Sequence, residues 1–319
     1  MLEQVAEGIH KLIVRFPGGM GEVNCYLLEG EHGYTVIDTG VDSKEARTIW
    51  KQALATGLKL EKVVLTHTHQ DHIGLAKWFQ QQIGVPVIVS DLGHQEMQYF
   101  CETDADGRLV QLVDKHGGPV LRNRRDHSLI YDFKPDGIYQ NHDTIQLGND
   151  IYEAIWTPGH APDHFCFYQQ DRQIMLVGDH ILQNVSPVIG LWEGREENPL
   201  KDYYDSLDLM ANYPAALALP GHGEPIKRVK ERVNEIRSRH DHRLEQVLQI
   251  LKTGQCKTAQ QVCDEVYGTI APGLKLSSFM AILTRLIYLE SIGEIKRTEH
   301  GGKVAFHVNA VKKNTWQAC

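Results

Sequence analysis

The chain has 319 residues, of which 42% are hydrophobic and 23% are charged, and its formal net charge is −8. These fractions are typical of globular proteins, and the length suits one large domain and one small domain. The acidic balance argues against a nucleic-acid-binding surface over the whole chain. The sequence has no apolar run of about 18 residues and no signal-peptide pattern at its start, so we expect a cytoplasmic protein without membrane contacts.

The six cysteines indicate a reducing environment. They are scattered along the chain and show no CxxC spacing. In a chain of this size, that pattern is typical of free thiols that pack as small apolar residues.

The N-terminal third alternates between strand and helix patterns. IHKLIVRF, VNCYLLEG and YTVIDTG read as strands, and a helix begins after Ser43 as its N-cap. LEKVVLTHT predicts a buried strand, Asp71 opens a helix that Gly84 ends, and PVIVS is a further strand. This alternation predicts a layered α/β fold.

Residues 92–142 interrupt the alternation. HQEMQYF looks helical, but the rest of the segment is charged and mixed in pattern, so we expect an irregular insertion that acts as a lid or is a disordered loop. Strands return in DTIQLG and IYEAIWTPGH, and HFCFYQQ and DRQIMLV predict a hairpin that turns at Gln170–Asp171. A helix over LKDYYDSLDLMANY and the strand ALALPGHG follow.

The C-terminal part predicts a second domain. A long amphipathic helix runs from Pro225 to about residue 252, and two helices and a ribbon that turns at Gly301–Gly302 follow it. Two helices and a ribbon of this size form a winged-helix pattern. We therefore assign residues 1–225 to a main domain, 226–252 to a connecting helix and 253–319 to a winged-helix-like domain.

Polar residues that can bind metal ions follow the apolar strands at their carboxyl ends. Three histidines and an aspartate lie within six positions of THTHQDHIG, and imidazole and carboxylate groups are ligands that zinc, iron and manganese prefer. The full set of strand-end candidates is Asp38, His67, His69, Asp71, His72, His160, Asp179 and His222. Five strands that share one arrangement favour a common metal site over five unrelated turn residues.

The combination HxHxDH (residues 67–72), TPGH ending at His160, GD ending at Asp179 and GH ending at His222 resembles the metallo-β-lactamase superfamily. It is most similar to the glyoxalase-II-like hydrolase branch, and the resemblance covers residues 1 to about 225. The family implies a four-layer αββα sandwich with metals at one edge of the β-sandwich. The C-terminal part resembles the winged helix that certain members carry.

The resemblance also implies a role for each ligand. His67, His69 and His160 would hold the first metal ion, Asp71, His72 and His222 the second, and Asp179 would bridge the two. A hydroxide between the ions would be the nucleophile. Asp71 could also accept a proton during turnover. Asp38 and His164 would act behind the ligands, by hydrogen bonding to a ligand or its loop.

The implied cofactor is a pair of divalent metal ions, with zinc favoured and manganese or iron as alternatives. Related di-iron flavoproteins have Glu at the second position of HxHxDH, so His69 favours hydrolysis over oxygen reduction. Single-iron persulfide dioxygenases share the all-histidine motif and stay an alternative. Cys166 does not match the ligand cysteine of the true β-lactamase branch, which argues against antibiotic hydrolysis.

The substrate implied by the glyoxalase-II-like branch is a small acyl compound: a thioester, an ester or a lactone. A metal-dependent endoribonuclease with the same two-domain arrangement is the alternative, so RNA stays open as a partner. The second helix of the winged-helix pattern is mostly apolar, which disfavours DNA binding and suits packing, including in a homodimer. Candidates for substrate binding are Arg122, Arg124 and Arg125, which could grip an anion, and Trp192.

Overall fold

The computed structural model describes residues 2–16, 20–121 and 128–309, and its Cα positions form two compact units. Unit 1 comprises residues 1–106, 123–189 and 199–239. Unit 2 comprises residues 107–122, 190–198 and 240–319. Unit 2 thus includes two segments from within the range 1–225 as well as the C-terminal region. The domain limits inferred from the sequence stay a prediction.

The strands are β1 Glu3–Ala6, β2 Ile9–Arg15, β3 Glu22–Glu29, β4 Tyr34–Ile37, β5 Leu60–Val64, β6 Val87–Ser90, β7 Gly137–Tyr139, β8 Thr144–Leu147, β9 Asp150–Trp156, β10 Phe165–Gln169, β11 Ile174–Gly178, β12 Leu217–Pro220, β13 Ile295–His300 and β14 Lys303–Val308. The α-helices are α1 Lys44–Ala55, α2 Gln70–Ile73, α3 Ala76–Trp78, α4 Asp91–Glu102, α5 Ala105–Lys115, α6 Ser128–Tyr131, α7 Pro199–Leu209, α8 Val229–Leu251, α9 Ala259–Tyr267 and α10 Lys275–Ser291. A π-helical turn covers Phe79–Ile83, and 3₁₀ turns cover Met210–Asn212 and Pro272–Leu274.

Unit 1 contains two sheets. β1 to β7 form a seven-stranded sheet in chain order, and β12-β11-β10-β9-β8 form a five-stranded sheet. β4 to β7 are parallel neighbours, and so are β11 and β12. β9, β10 and β11 pair antiparallel in succession, so β9 and β11 run in the same direction. The carboxyl ends of β9, β11 and β12 therefore meet at one edge of the second sheet.

Alternating side chains place the first sheet between a helical layer and the second sheet. Val63 packs in a core that includes Trp50 of α1, and Val64 packs in a core that includes Phe165 and Phe167 of β10. Neighbouring residues of a strand point to opposite faces, so one strand supplies both cores. Cys166, on the other face of β10, is also buried. Strands β5 and β10 are therefore covered on both faces, which agrees with the αββα sandwich.

Several predicted elements are confirmed. The Ser43 side chain caps α1 by accepting from the Ala46 amide, and β10 and β11 form the predicted hairpin. The helix expected from Asp71 to Gly84 is interrupted. Its chain turns after α2 because the Leu75 amide donates to the carbonyl of Gly40. Gly84 ends the π-helical turn in the left-handed conformation, with φ 79°.

The expectation that residues 92–142 are irregular is wrong for most of the described part. The helix predicted from HQEMQYF is confirmed as α4, but the rest of the segment also contains the helices α5 and α6 and the edge strand β7, which pairs in parallel with β6. α5 buries Leu109, Leu112 and Val113 at helical spacing. The frequent charges around these three residues hide that period in the sequence.

Unit 2 contains α9, α10 and the β13–β14 ribbon, with the turn at Gly301–Gly302 as predicted. Both glycines have positive φ, at 59° and 74°, which a two-residue type I′ turn requires. Much of α10 is buried within this chain. Glu196 pairs with Arg297 of β13. The winged-helix assignment stays a prediction. Among the described helices, none has the length and hydropathy that a membrane span requires.

Candidate metal centre

Three histidines meet where β5 and β9 end. His67 and His69 follow β5, and His160 follows β9 in the loop before β10. Nδ1 of His69 lies 2.9 Å from Nε2 of His160, and one ring nitrogen of each of the three histidines lies within 4.8 Å of the others. Three imidazole nitrogens around one point can hold a cation such as zinc.

A second group of donors adjoins the first. Asp71 and His72 lie in α2, and His222 follows β12. Their donor atoms also lie within 4.8 Å of one another, and Nε2 of His222 is 3.3 Å from Oδ2 of Asp71. His67 and His69 are two positions apart on extended chain, whereas Asp71 and His72 have turned into a helix, so the two pairs approach the centre from different sides.

The Asp179 carboxylate faces both groups. Its Oδ2 atom lies 3.4 Å from Nε2 of His160 and 3.3 Å from Nε2 of His222. Its Oδ1 atom lies 3.5 Å from Nε2 of His72. The structure therefore brings together all seven residues expected as ligands. The division of these residues between two ions stays a prediction.

Asp38 lies directly behind this cluster, as expected. Its Oδ2 atom accepts hydrogen bonds from the Thr66 hydroxyl and from Nδ1 of His72, both at 2.8 Å. Its Oδ1 atom accepts from the Thr66 amide at 2.8 Å. Asp38 adopts a left-handed φ of 61°, which non-glycine residues seldom adopt outside functional sites. Thr66, which the sequence reading did not single out, also contacts Nδ1 of His67 at 3.0 Å.

The outer nitrogens of two further histidines donate to backbone carbonyls. Nδ1 of His160 donates to the Val188 carbonyl at 3.0 Å, and Nδ1 of His222 donates to the Glu22 carbonyl at 2.5 Å. Donation from Nδ1 leaves the Nε2 lone pair of each neutral ring directed at the cluster. This is the arrangement that orients histidines as metal ligands.

His164 contacts the backbone of Asp179, and its role behind the ligands stays a prediction. Its Nε2 atom accepts from the Asp179 amide at 3.0 Å, so its Nδ1 atom carries the proton and donates to the Thr157 hydroxyl at 2.8 Å. His164 is fully buried, and burial followed by the neighbouring His180 holds its pKa well below the usual value. The neutral ring therefore stays available as an acceptor.

The loop that carries His222 depends on residues that sequence reasoning missed. The Asn24 side chain donates to the carbonyls of Pro220 at 2.9 Å and Gly223 at 2.7 Å. A Cβ atom at Gly221 would lie 2.4 Å from Oδ1 of Asp179 and 2.8 Å from Cε1 of His72, so only glycine fits there. No local pattern around Asn24 points to this role, because its partners are almost 200 positions away.

Burial keeps the first group of histidines neutral. It lowers the pKa of His67 well below the usual value, and the neighbouring ring of His72 adds to the effect. Burial and then His160 lower the pKa of His69 to about 3, and burial also lowers the pKa of His160. Neutral imidazole is the form that binds metal ions.

The second group is charged in the absence of metal. Burial by itself would lower the pKa of His72 and His222, but carboxylates outweigh it. Asp179, Asp38 and Asp71 raise the pKa of His72 well above its usual value, and Asp179 and Asp71 raise that of His222 to about 10. Burial by itself would raise the pKa of Asp71 and Asp179, and the two histidines lower both below the usual range.

The donor set fits divalent metal ions. Two buried atoms in it, Nε2 of His67 and Nε2 of His69, have no hydrogen-bond partner, and Nε2 of His72 and Oδ1 of Asp179 face only each other at 3.5 Å. An unsatisfied buried polar atom costs about 1–3 kcal/mol, so unsatisfied nitrogens beside a buried carboxylate indicate that a cation belongs there. Nitrogen and oxygen ligands without a thiolate suit zinc, iron or manganese.

Of the four candidates for substrate binding, Trp192 is the one that the described residues include. Arg122, Arg124 and Arg125 lie outside the described residues. Trp192 belongs to unit 2, and its indole packs against Gly190 of its own loop, where a Cβ atom would lie 2.5 Å from the ring. This contact explains the position of the indole as packing within the loop.

Comparison with known sequences finds similar proteins over most of the chain. The family model of the metallo-beta-lactamase superfamily matches residues 18–222, a range that contains all seven candidate ligands. The probable metallo-hydrolase YqjP of Bacillus subtilis (strain 168) is 30% identical over 283 residues, which cover 83% of this chain and 86% of that protein. The atrochrysone carboxyl ACP thioesterase of Aspergillus chevalieri is 24% identical over 286 residues, covering 84% of this chain and 76% of that protein.

Solved structures extend the likeness to the whole chain. A metallo-beta-lactamase family protein from Thermus thermophilus superimposes with a TM-score of 0.83 at 29% identity, covering 96% of this chain and 100% of that chain. A beta-lactamase domain protein from Burkholderia ambifaria shares the fold with a TM-score of 0.85 at 24% identity, covering 97% of this chain and 93% of that chain.

Proposed function

The chain belongs to the metallo-β-lactamase superfamily and is a metallohydrolase, and from that premise we propose that it hydrolyses a carbonyl substrate with two divalent metal ions. The substrate class is a thioester, an ester or a lactone, and zinc is the favoured metal. One ion would be held by His67, His69 and His160, and the other ion by Asp71, His72 and His222. Asp179 would contact both ions.

One observation carries this proposal. The Asp179 carboxylate has one oxygen near His160 and His222 and the other near His72. A carboxylate placed between two donor groups suits a centre of two ions about 3.5–4 Å apart. Ions held there would lower the pKa of a water molecule towards about 7 and polarise a carbonyl oxygen.

Asp71 is the carboxylate best placed to accept a proton during the reaction. Its side chain is 29% exposed, compared with 7% for Asp179, so it lies between the buried cluster and the solvent. Its Oδ2 atom is 3.3 Å from Nε2 of His222, which holds the carboxylate on the cluster side. Burial opposes the charge of Asp71, but His72 and His222 keep its pKa low, so the group is ionised in the metal-free protein.

Two observations support an acyl substrate. Val188, whose carbonyl accepts from His160, is 38% exposed, so an apolar residue lies beside the donor cluster. An apolar residue there suits the hydrocarbon part of an acyl group. Two fungal proteins of similar sequence, at 24% and 26% identity, are named as acyl-carrier thioesterases, and a thioester is the substrate class they share with this proposal.

The experiment combines metal analysis with a substrate panel. Protein purified without chelator is analysed for metal beside His72→Ala and a surface control, His142→Ala, whose side chain is 61% exposed. We expect two equivalents of metal per chain in the wild type and the control, and about one in His72→Ala. We also expect the wild type to hydrolyse a thioester, an ester or a lactone. Cleavage of RNA alone would establish the endoribonuclease instead. One iron per chain with thiol-dependent oxygen uptake would establish the dioxygenase.

A further inference from the structure

The loop after Asp179 links two parts of the donor cluster. It begins at the carboxylate that faces both groups, and at Val188 it supplies the carbonyl that accepts from Nδ1 of His160. Residues 180–189 form no helix or strand. Their backbone groups therefore need partners outside regular secondary structure.

Arg232 of α8 supplies those partners. Its side chain is only 5% exposed, and its Nε atom donates to the Leu182 carbonyl at 2.6 Å and its Nη2 atom to the Val185 carbonyl at 2.7 Å. The third nitrogen, Nη1, donates to Glu235 at 2.9 Å. A planar guanidinium with fixed donors holds two carbonyls three residues apart in one geometry. The Tyr203 hydroxyl adds a bond to the His180 carbonyl at 2.8 Å.

The position of this loop affects His160 through its outer nitrogen. The hydrogen bond to Val188 keeps the proton on Nδ1, so Nε2 is the acceptor that faces the cluster, 2.9 Å from Nδ1 of His69. Val185 and Val188 are three residues apart, at most about 11 Å of extended chain. A displacement of the Val185 carbonyl therefore reaches Val188 directly along the backbone.

We propose that Arg232 is a positioning residue for the metal centre, which it serves by fixing the loop 180–189 and so the orientation of His160. This inference rests on the proposed metal centre. Arg232 does not touch the donor atoms itself, and its effect passes through the Val188 carbonyl. Loss of the guanidinium should weaken the binding of the ion that would be held by His67, His69 and His160.

Arg237 provides a matched control on the same helix. It pairs with Asp208, and its guanidinium carbon lies 5.0 Å from the centre of the Tyr204 ring. Neither of these contacts involves the loop 180–189. Replacing Arg237 removes the same charge from α8 and leaves the contacts of Arg232 with the loop in place.

The test is a cobalt titration of metal-free protein, followed by the visible absorption of bound Co²⁺, with melting curves to confirm folding. For Arg232→Gln we expect about tenfold weaker binding of one of two equivalents and an altered spectrum, since a disturbed partner of a ligand histidine typically costs about 10- to 100-fold in affinity. Arg237→Gln should titrate like the wild type. Arg232→Lys, which keeps the charge and one donor, should recover part of the loss.

The inference would be overturned if the titration curves of both Arg232 variants matched the wild-type curve. If Arg232→Gln does not fold, the Arg232→Lys titration decides, because an unchanged affinity and spectrum there would exclude a positioning role. Failure of the wild type to bind cobalt would instead overturn the metal centre itself. The two failures are thus distinguishable.

Discussion

Nδ1 of His72 lies 2.8 Å from Oδ2 of Asp38, and both side chains are buried. The same oxygen accepts from the Thr66 hydroxyl, and the other carboxylate oxygen accepts from the Thr66 amide. Asp38 thus accepts three hydrogen bonds and donates none. It holds the segment before His67 and the ring of His72 in one arrangement, although the two histidines belong to different donor groups.

Replacing Asp38 with Asn should weaken metal binding by about 10- to 100-fold. The amide nitrogen of Asn is a donor, so it would face either the Thr66 amide or the Thr66 hydroxyl and His72 Nδ1. Competition with a chromophoric chelator measures the affinity. Asp42→Asn is the control, because Asp42 forms an exposed pair with Arg47. Equal affinities in the two variants would refute a role of Asp38 behind the ligands.

Gly221→Ala should reduce hydrolysis on the order of 100-fold, because displacing a catalytic group by about 1 Å has that effect. The new methyl group would lie 2.4 Å from Oδ1 of Asp179 and must displace it. Initial rates on the substrate that the panel identifies measure the loss. Gly273→Ala is the comparison, since nothing lies within 4 Å of a Cβ atom there. A rate for Gly221→Ala equal to that of Gly273→Ala would contradict the prediction.

His164→Ala should reduce both stability and metal affinity. It leaves the Asp179 amide without its acceptor, at a cost of about 1–3 kcal/mol in the free energy of unfolding, to which the new cavity adds. Thr157→Val removes the partner of the other ring nitrogen and retains the bond to Asp179, so its metal affinity should stay close to that of the wild type. Denaturant unfolding and chelator competition test both variants. A larger loss of metal affinity in Thr157→Val than in His164→Ala would contradict the prediction.

The metal-free protein should be most stable near pH 6.5. His72 and His222 have raised pKa values, about 10 for His222, so their contribution is complete below pH 6.5 and is lost as the pH rises towards 10. His67, His69 and His160 have lowered pKa values, about 3 for His69, so their contribution is complete above pH 6.5 and is lost as the pH falls towards 3.

Melting temperatures of chelator-treated protein between about pH 5 and pH 9 test this dependence. We expect a maximum for the metal-free form. Bound metal ions replace the protons on His72 and His222, so metal-loaded protein should keep its melting temperature above about pH 7. A melting temperature of metal-free protein that rises steadily up to about pH 9 would contradict the raised pKa values.

Much of the candidate site could be predicted from the sequence because its donors follow strands in short motifs. Apolar strands can be recognised from their composition, and polar residues at their carboxyl ends are then easy to identify. Residues 92–142 were harder to interpret, since charges hide the apolar face of α5, which is buried within unit 2. The interruption after α2 was equally hidden, because it depends on the Gly40 carbonyl, more than thirty positions away.

The sequence by itself determined a layered α/β fold and the seven candidate ligands, since strand patterns and motif spacing are local properties of the chain. The resemblance that these motifs carry implied the family and its sandwich. Only the tertiary structure decided what surrounds the ligands. The bonds of Thr66 with Asp38, of Asn24 with Pro220 and of Arg232 with Leu182 join positions 28 to 196 residues apart. Such pairs cannot be recognised in the sequence, because a buried polar group needs a protein partner only when folding removes water from it.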